Sequence, residues 1–387
     1  MSPIMPLPEP SAEALDHSAR VAAHIRARID TAGGWISFAD YMSLALYAPA
    51  LGYYSAGSRK LGHAGDFITA PELTPLFADA IARQAMQLIR AGCADILEIG
   101  AGTGALAAGI LEELEREECL PEHYFILEVS ADLRERERDL IRERVPQHME
   151  RVIWLNQLPP SFNGLVIGNE VLDAMPVHLL SVTANGIDEI GVALDPNTRG
   201  FRMAQRPAAG ELAKIAQSLR LSPPYTAEIA LFARAFVASI GAMLARGAAL
   251  FIDYGFPAHE LYHPQRTMGT LRCHFRHRVL DDPFFLPGLV DITAHVDFSA
   301  MAASAKESGL ALAGYASQGS FLINCGITTL LARTPPEEAV RYLPMANAVQ
   351  RLLSPAEMGE LFKAIAFTKG FDQPLIGFMS GDRRSAL

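Results

Sequence analysis

The chain has 387 residues, 50% hydrophobic and 20% charged, so it can bury a large core and is neither a disordered segment nor a disulfide-stapled mini-domain. Its 33 basic and 43 acidic side chains give a net charge of -10, which repels phosphate backbones and argues against general nucleic-acid binding. Cys93, Cys119, Cys273 and Cys325 form no C-x-x-C pair, and no apolar run approaches the roughly 20 residues of a membrane insertion. Met1 to Pro10 is proline-rich without a basic residue and reads as a frayed tail rather than a signal or transit peptide. With a reducing compartment favoured by the cysteines, the expected location is cytoplasmic.

In chain order, the spacing of Leu15, Ala19, Ala22, Ala23, Ile25 and Ile29 predicts a helix stopped by Gly33-Gly34, and Ser37 opens a shorter one over Phe38 to Leu46. Leu51 to Thr69 has no clear period, and such stretches are more often functional than plain connectors. Pro71 begins a helix to about Ile89. Strand and helix then alternate: Asp95 to Ile99, Ala105 to Arg116, Tyr124 to Glu128, Ala131 to Arg144, Val152 to Trp154 and Leu165 to Gly168. This rhythm indicates an α/β fold with a mostly parallel, doubly wound sheet.

The next such strand, Ala248 to Ile252, follows an interval of roughly 80 residues that must hold an insertion. There a hairpin, Val177 to Val182 and Ile187 to Leu194, an edge strand Gly200 to Met203 and a long Ala-rich helix Tyr225 to Leu244 are expected. His259 to Leu289 reads as irregular, and helix and strand resume from Phe298. The expected division is an N-terminal helical segment with a cofactor-covering loop over 1–90, a core over 91–175 and 245–387, and an insertion over 176–244.

Glu98-Ile-Gly100-Ala-Gly102-Thr-Gly104 joins a strand to a helix, where glycines let the backbone lie against a ligand and the helix start offers free N–H groups. Gly100, Gly102 and Ala105 also satisfy the dinucleotide fingerprint, so Glu98 discriminates: an acid at the strand end suits the ammonium of S-adenosylmethionine and repels a pyrophosphate. Glu128 closes the second strand, where an acid accepts hydrogen bonds from ribose hydroxyls in either reading. Asn156, past the third strand, is placed to meet the adenine or serves turn chemistry.

With these residues the sequence resembles the MidA-like family of S-adenosylmethionine-dependent methyltransferases, which includes the mitochondrial complex I assembly protein that methylates an arginine. The resemblance is carried by Tyr41-Met42, Leu51 to Tyr54, Gly65 to Glu72, Glu98 to Gly104, Asn169 to Val177, Asp253 to Gly255, Gly269 to His274 and Asp291 to Phe298. It implies a Rossmann-like methyltransferase core with a helical N-terminal segment and a substrate-covering insertion. It also implies that S-adenosylmethionine is held by Gly65, Asp66, Phe67, Thr69, Pro71, Glu98, Gly100, Gly102, Gly104, Glu128, Val129, Asn156 and Asn169.

Methyl transfer is an in-line displacement, so the protein mainly positions a nucleophile and excludes water. An arginine acceptor is protonated at neutral pH, and carboxylates that grip its guanidinium can leave one nitrogen facing the methyl. Glu170 and Asp173, just past the fourth strand, are the first choice, although acids there also cap helices. Asp253 after the fifth strand either shapes the acceptor slot or is a turn residue. His295 could relay the released proton or bond a backbone carbonyl in the core.

The group His259, His263, Cys273, His274 and His277 fits no standard zinc spacing and is crowded by Arg272, Arg276 and Arg278, so no metal is expected and a basic arm toward an acidic partner surface is. A protein acceptor is the leading expectation. A small-molecule or RNA methyltransferase, a non-catalytic assembly partner and a nicotinamide dehydrogenase remain open at this level. An apolar insertion could cover the site or pair with a second copy as a homodimer.

Overall fold

The structure, a computed structural model, describes residues 9–55, 69–276 and 278–387. Two compact units divide the chain: Met1–Phe67, Ala174–Phe232 and His259–His295 form the first, and Ile68–Asp173, Ala233–Ala258 and Val296–Leu387 the second.

The second unit is built on an eight-stranded sheet. From one edge it runs Ala311–Ser317, Phe362–Lys369, Leu244–Phe256, Phe162–Asn169, Asp95–Ile99, Tyr124–Leu127 and Val152–Leu155, with Val296–Asp297 pairing at the end of Leu244–Phe256. The five strands from Leu244–Phe256 to Val152–Leu155 are mutually parallel, and Phe362–Lys369 and Ala311–Ser317 add an antiparallel edge. The expected Rossmann-like core is therefore present. Near-continuous apolar runs such as Ala248–Ala249–Leu250–Phe251–Ile252 are buried, as a covered parallel sheet demands.

The expected helix from Pro71 is two helices, Ala70–Leu73 and Pro75–Arg90, because Thr74 precedes a proline and is driven to extended φ/ψ (-163°, 141°). Leu76, Phe77, Ile81, Ala85 and Leu88 on the longer helix join the apolar core of the sheet, so this segment belongs to the core unit and not to an N-terminal appendage.

The first unit has a five-stranded antiparallel sheet in the order Trp35–Ser37, Gly186–Leu194, His178–Thr183 and Tyr225–Ile229, with Phe201–Pro207 also on Gly186–Leu194. The expected hairpin is confirmed by pairing of Thr183 with Gly186. The expected helix over Tyr225 to Leu244 is corrected. Tyr225–Ile229 is a strand because its alternating side chains pair with His178–Val182, and only Leu231–Met243 is helical.

The stretch expected to be irregular, His259 to Leu289, contributes two strands, Arg278–Leu280 and Arg272–Phe275, to a three-stranded sheet completed by Asp291–Thr293. Its Cys273, Phe275, Ile292 and Ala294 share one core with Tyr41, Met42 and Val192, which is why His259–His295 groups with the first unit.

Candidate active site

The Asp95–Ile99 strand, central in its sheet, ends in a turn whose three glycines are all left-handed: Gly100 at φ 65°, Gly102 at 60° and Gly104 at 83°. L-residues rarely adopt such angles. Space is short as well, since a Cβ on Gly100 would lie 3.2 Å from Val171 Cγ1, and one on Gly104 would lie 3.1 Å from the Glu137 Cα. The helix Ala105–Arg116 begins at Gly104 without a side-chain cap, which leaves its first amides to a ligand or solvent.

Glu98, one residue before the strand end, is almost fully buried, and its Oε2 accepts a 2.6 Å hydrogen bond from the Tyr124 hydroxyl of the neighbouring strand. Burial pushes the Glu98 carboxyl up to about 7, while the tyrosine bond pulls the other way. Behind the turn, Glu137 of the helix Ala131–Arg144 is wholly buried. It accepts 2.7 Å from Trp154 Nε1, and burial first, then Glu128, raise its pKa to about 8.

The second half of the site follows the strand Phe162–Asn169. Glu170 takes a left-handed φ of 53°, uncommon for a side chain of its size, and its amide donates 2.9 Å to the Ile252 carbonyl. Its carboxyl is driven up to about 8 by burial and then by Asp173, opposed by bonds from Asn169 and the Ala70 amide. Buried Asp253 is also raised well above the carboxylate range, by burial and by Asp173. Its Oδ2 accepts from the Leu172 amide at 2.8 Å and the Asp173 amide at 3.3 Å, and its Oδ1 from the Tyr254 amide at 2.9 Å. Asp253 thus holds the 172–173 backbone in place. Val171 lies between Glu170 and Leu172, so the contact with Gly100 joins the acid cluster to the glycine turn.

The structure therefore brings together Glu98, Gly100, Gly102, Gly104, Asn169, Glu170, Asp173 and Asp253. Glu128 follows its strand as expected, but its Oε1 already accepts 2.7 Å from the Ser130 amide. Val129 is 72% exposed beside it, and Asn156 is exposed just past Val152–Leu155. Thr69 precedes the helix Ala70–Leu73 and Pro71 lies in its first turn, while Glu72 of that helix adds to the field on Glu170. Gly65, Asp66, Phe67 and His277 lie outside the described residues.

His295 belongs to the first unit, where its amide donates 3.1 Å to Thr270 Oγ1. In that unit the Gly269 to His274 motif has a structural role. The buried Glu228 carboxylate accepts from the Thr270 amide at 2.8 Å, the Leu271 amide at 3.1 Å and the Thr270 hydroxyl at 3.2 Å. Only a glycine fits at 269, where φ is 72° and a Cβ would fall 2.2 Å from Glu228 Oε1.

Among the described residues, the group of His, Cys, Asp or Glu close enough to hold an ion is Asp95, Glu122 and His123, none of which is in the histidine-rich stretch. A surface cleft of about 520 Å³ lined by Arg83, Gln87, Arg90 and Gln373 is made of other residues than the acid cluster.

Sequence reasoning missed Tyr124, Glu137 and Glu228. Glu137 did carry a signal. It falls four residues after Leu133 and four before Ile141, on the one apolar stripe of an otherwise charged helix.

A parallel sheet whose central strand ends in a buried acid and a left-handed glycine turn, with a second acid after the adjacent strand, defines a Rossmann-like enzyme for an adenosine cofactor. These acceptors suit S-adenosylmethionine. Carboxylates stand where a dinucleotide site would cradle a pyrophosphate, and among the described residues the buried Asn169 Oδ1 has no hydrogen-bond partner. Residues 78–316 match the family of S-adenosyl-L-methionine-dependent methyltransferases, and the chain belongs to it.

Similar proteins agree. A crystal structure from Burkholderia thailandensis bound to S-adenosyl-homocysteine is 50% identical with a TM-score of 0.96, covering 99% of this chain and 100% of that one. The mitochondrial protein arginine methyltransferase NDUFAF7 of Danio rerio is 28% identical over 89% of this chain and 85% of its own length. Its Homo sapiens counterpart is also 28% identical, over 89% and 82%. The MidA-like resemblance holds, S-adenosylmethionine is the cofactor and methyl transfer the reaction class, which sets aside the nicotinamide and non-catalytic alternatives. The cytoplasmic expectation is corrected, because these curated relatives are mitochondrial proteins. Among the described residues no helix is long and apolar enough to cross a membrane.

Proposed function

We propose that the protein transfers a methyl group to an arginine side chain of a partner protein, with Glu170 and Asp173 gripping the guanidinium. The observation that carries this reading is the crowding of Glu170, Asp173 and Asp253 beside the glycine turn, with acids raising one another's pKa. A cation brought beside Glu170 and Asp253 favours their ionised forms. The arginine methyltransferases among the curated relatives support the same acceptor.

The cofactor when bound supplies an electrophilic methyl on a positively charged sulfur. Gly100, Gly102 and Gly104 let the backbone approach it, and Glu98 faces its ammonium. Glu128 with its remaining lone pairs takes a ribose hydroxyl, beside the apolar surface of Val129 and the amide of Asn156. Thr69, Pro71 and Asn169 complete the cofactor contacts in this reading. Glu170 and Asp173 fix the acceptor nitrogen, and Asp253 acts through Asp173 by pinning the 172–173 backbone.

The test is to incubate purified protein and labelled S-adenosylmethionine with extract from a strain lacking the gene, then hydrolyse the product. Label recovered as methylarginine supports the reading. Label on nucleic acid or on a small molecule refutes it.

A further inference from the structure

We infer that Tyr124 is a positioning residue for cofactor binding: its hydroxyl favours the ionised form of Glu98, which attracts the cofactor's ammonium. The inference rests on the reading of Glu98 given above. Tyr124 pairs in register with Ile96, two residues before Glu98, so the two side chains share one face of the sheet as diagonal neighbours. Tyr124 is fully buried, and the 2.6 Å separation is that of a charge-assisted O–H···O⁻ bond. Such a bond stabilises the carboxylate far more than the neutral acid.

The surroundings otherwise oppose ionisation. Glu137 from the helix Ala131–Arg144 and Glu128 past the Tyr124–Leu127 strand are acids facing the same region. Arg134 is the nearby cation, and its guanidinium donates to the carbonyls of Glu128 and Leu155. Among the described residues no basic side chain bonds Glu98, and the tyrosine takes that place. Removing the hydroxyl would leave a buried carboxyl whose burial favours the neutral form.

The experiment is calorimetric titration of the full chain with S-adenosylhomocysteine between pH 6 and pH 9, for wild type, Tyr124→Phe, Glu98→Gln and the double variant. The ligand's own amine titrates identically in all four and cancels from ratios. Wild-type affinity should exceed that of Tyr124→Phe about 10-fold at pH 6 and by less than about twofold at pH 9, where Glu98 is ionised regardless. In the Glu98→Gln background the tyrosine change should cost less than about twofold.

A Tyr124→Phe deficit that is constant with pH, or undiminished when Glu98 is Gln, would make Tyr124 a packing residue and overturn the inference. If Glu98→Gln alone leaves affinity intact, it is the reading of Glu98 that fails.

Discussion

Two clusters of buried acids lie in the same unit and behave oppositely. Glu113 is wholly buried, yet both its oxygens accept from the Arg333 guanidinium at 2.8 and 2.9 Å, and Arg116 is bonded to it as well. Glu170 and Asp253 lie beside Asp173, whose charge raises both, and Asp253 accepts hydrogen bonds from backbone amides. A buried acid supplied with its own guanidinium is a fastening. Glu170 and Asp253 are instead raised above the ordinary carboxylate range by burial and by Asp173, a pattern typical of acids at a functional site.

The largest expected effect is on the turn that borders the second cluster. Gly100→Val must adopt a φ of 65° and push into Val171, so S-adenosylhomocysteine affinity should fall more than about 100-fold in a titration. Unaltered affinity would separate the glycine turn from the cofactor.

Glu113→Gln sharpens the contrast from the other side. Losing the charge opposite Arg333 should destabilise the fold by about 3 kcal/mol in a urea unfolding curve while cofactor affinity stays within twofold. A strong loss of affinity with little loss of stability would erase the distinction between fastening and site.

The pH dependence of stability follows from the acids whose pKa values are raised on folding. Glu98 at about 7 and Glu137 and Glu170 at about 8 stay protonated in the folded state at pH values where the unfolded chain has released those protons. Folded protein then binds more protons than unfolded, so their stabilising contribution is complete below the ordinary carboxylate range and lost as pH rises toward 8. Tm should fall by roughly 5 °C between pH 6 and pH 8.5, and a flat profile would contradict the raised values.

The smallest effect is at the surface. Arg199 forms an exposed bidentate pair with Asp30, and Arg199→Ala should move Tm by less than about 1 °C.

Much of this was legible in the chain. Strand–helix alternation from Asp95 onward and the run Glu98 to Gly104 placed the sheet, the turn and the acid before any coordinates, because both are local signals. The Tyr225–Ile229 strand was not legible. Its Ala-rich continuation has helical character, and only pairing with His178–Val182 overrides it. Nor could spacing reveal that Asp253 is bonded to amides 81 and 80 residues away, or that Glu228 grips Thr270, since both depend on long-range contacts. The Gly269 to His274 motif, which the family resemblance brought forward, proved to owe its glycine and threonine to that clamp.

The central claim is that the cluster of Glu170, Asp173 and Asp253 holds a cationic acceptor. It is tested most directly by a single-turnover reaction of wild type and Glu170→Gln, each saturated with labelled S-adenosylmethionine and mixed with extract from a strain lacking the gene. The account predicts methylarginine from wild type and at least about 100-fold slower formation from the variant, with cofactor affinity within threefold. Equal rates from the two proteins would contradict it.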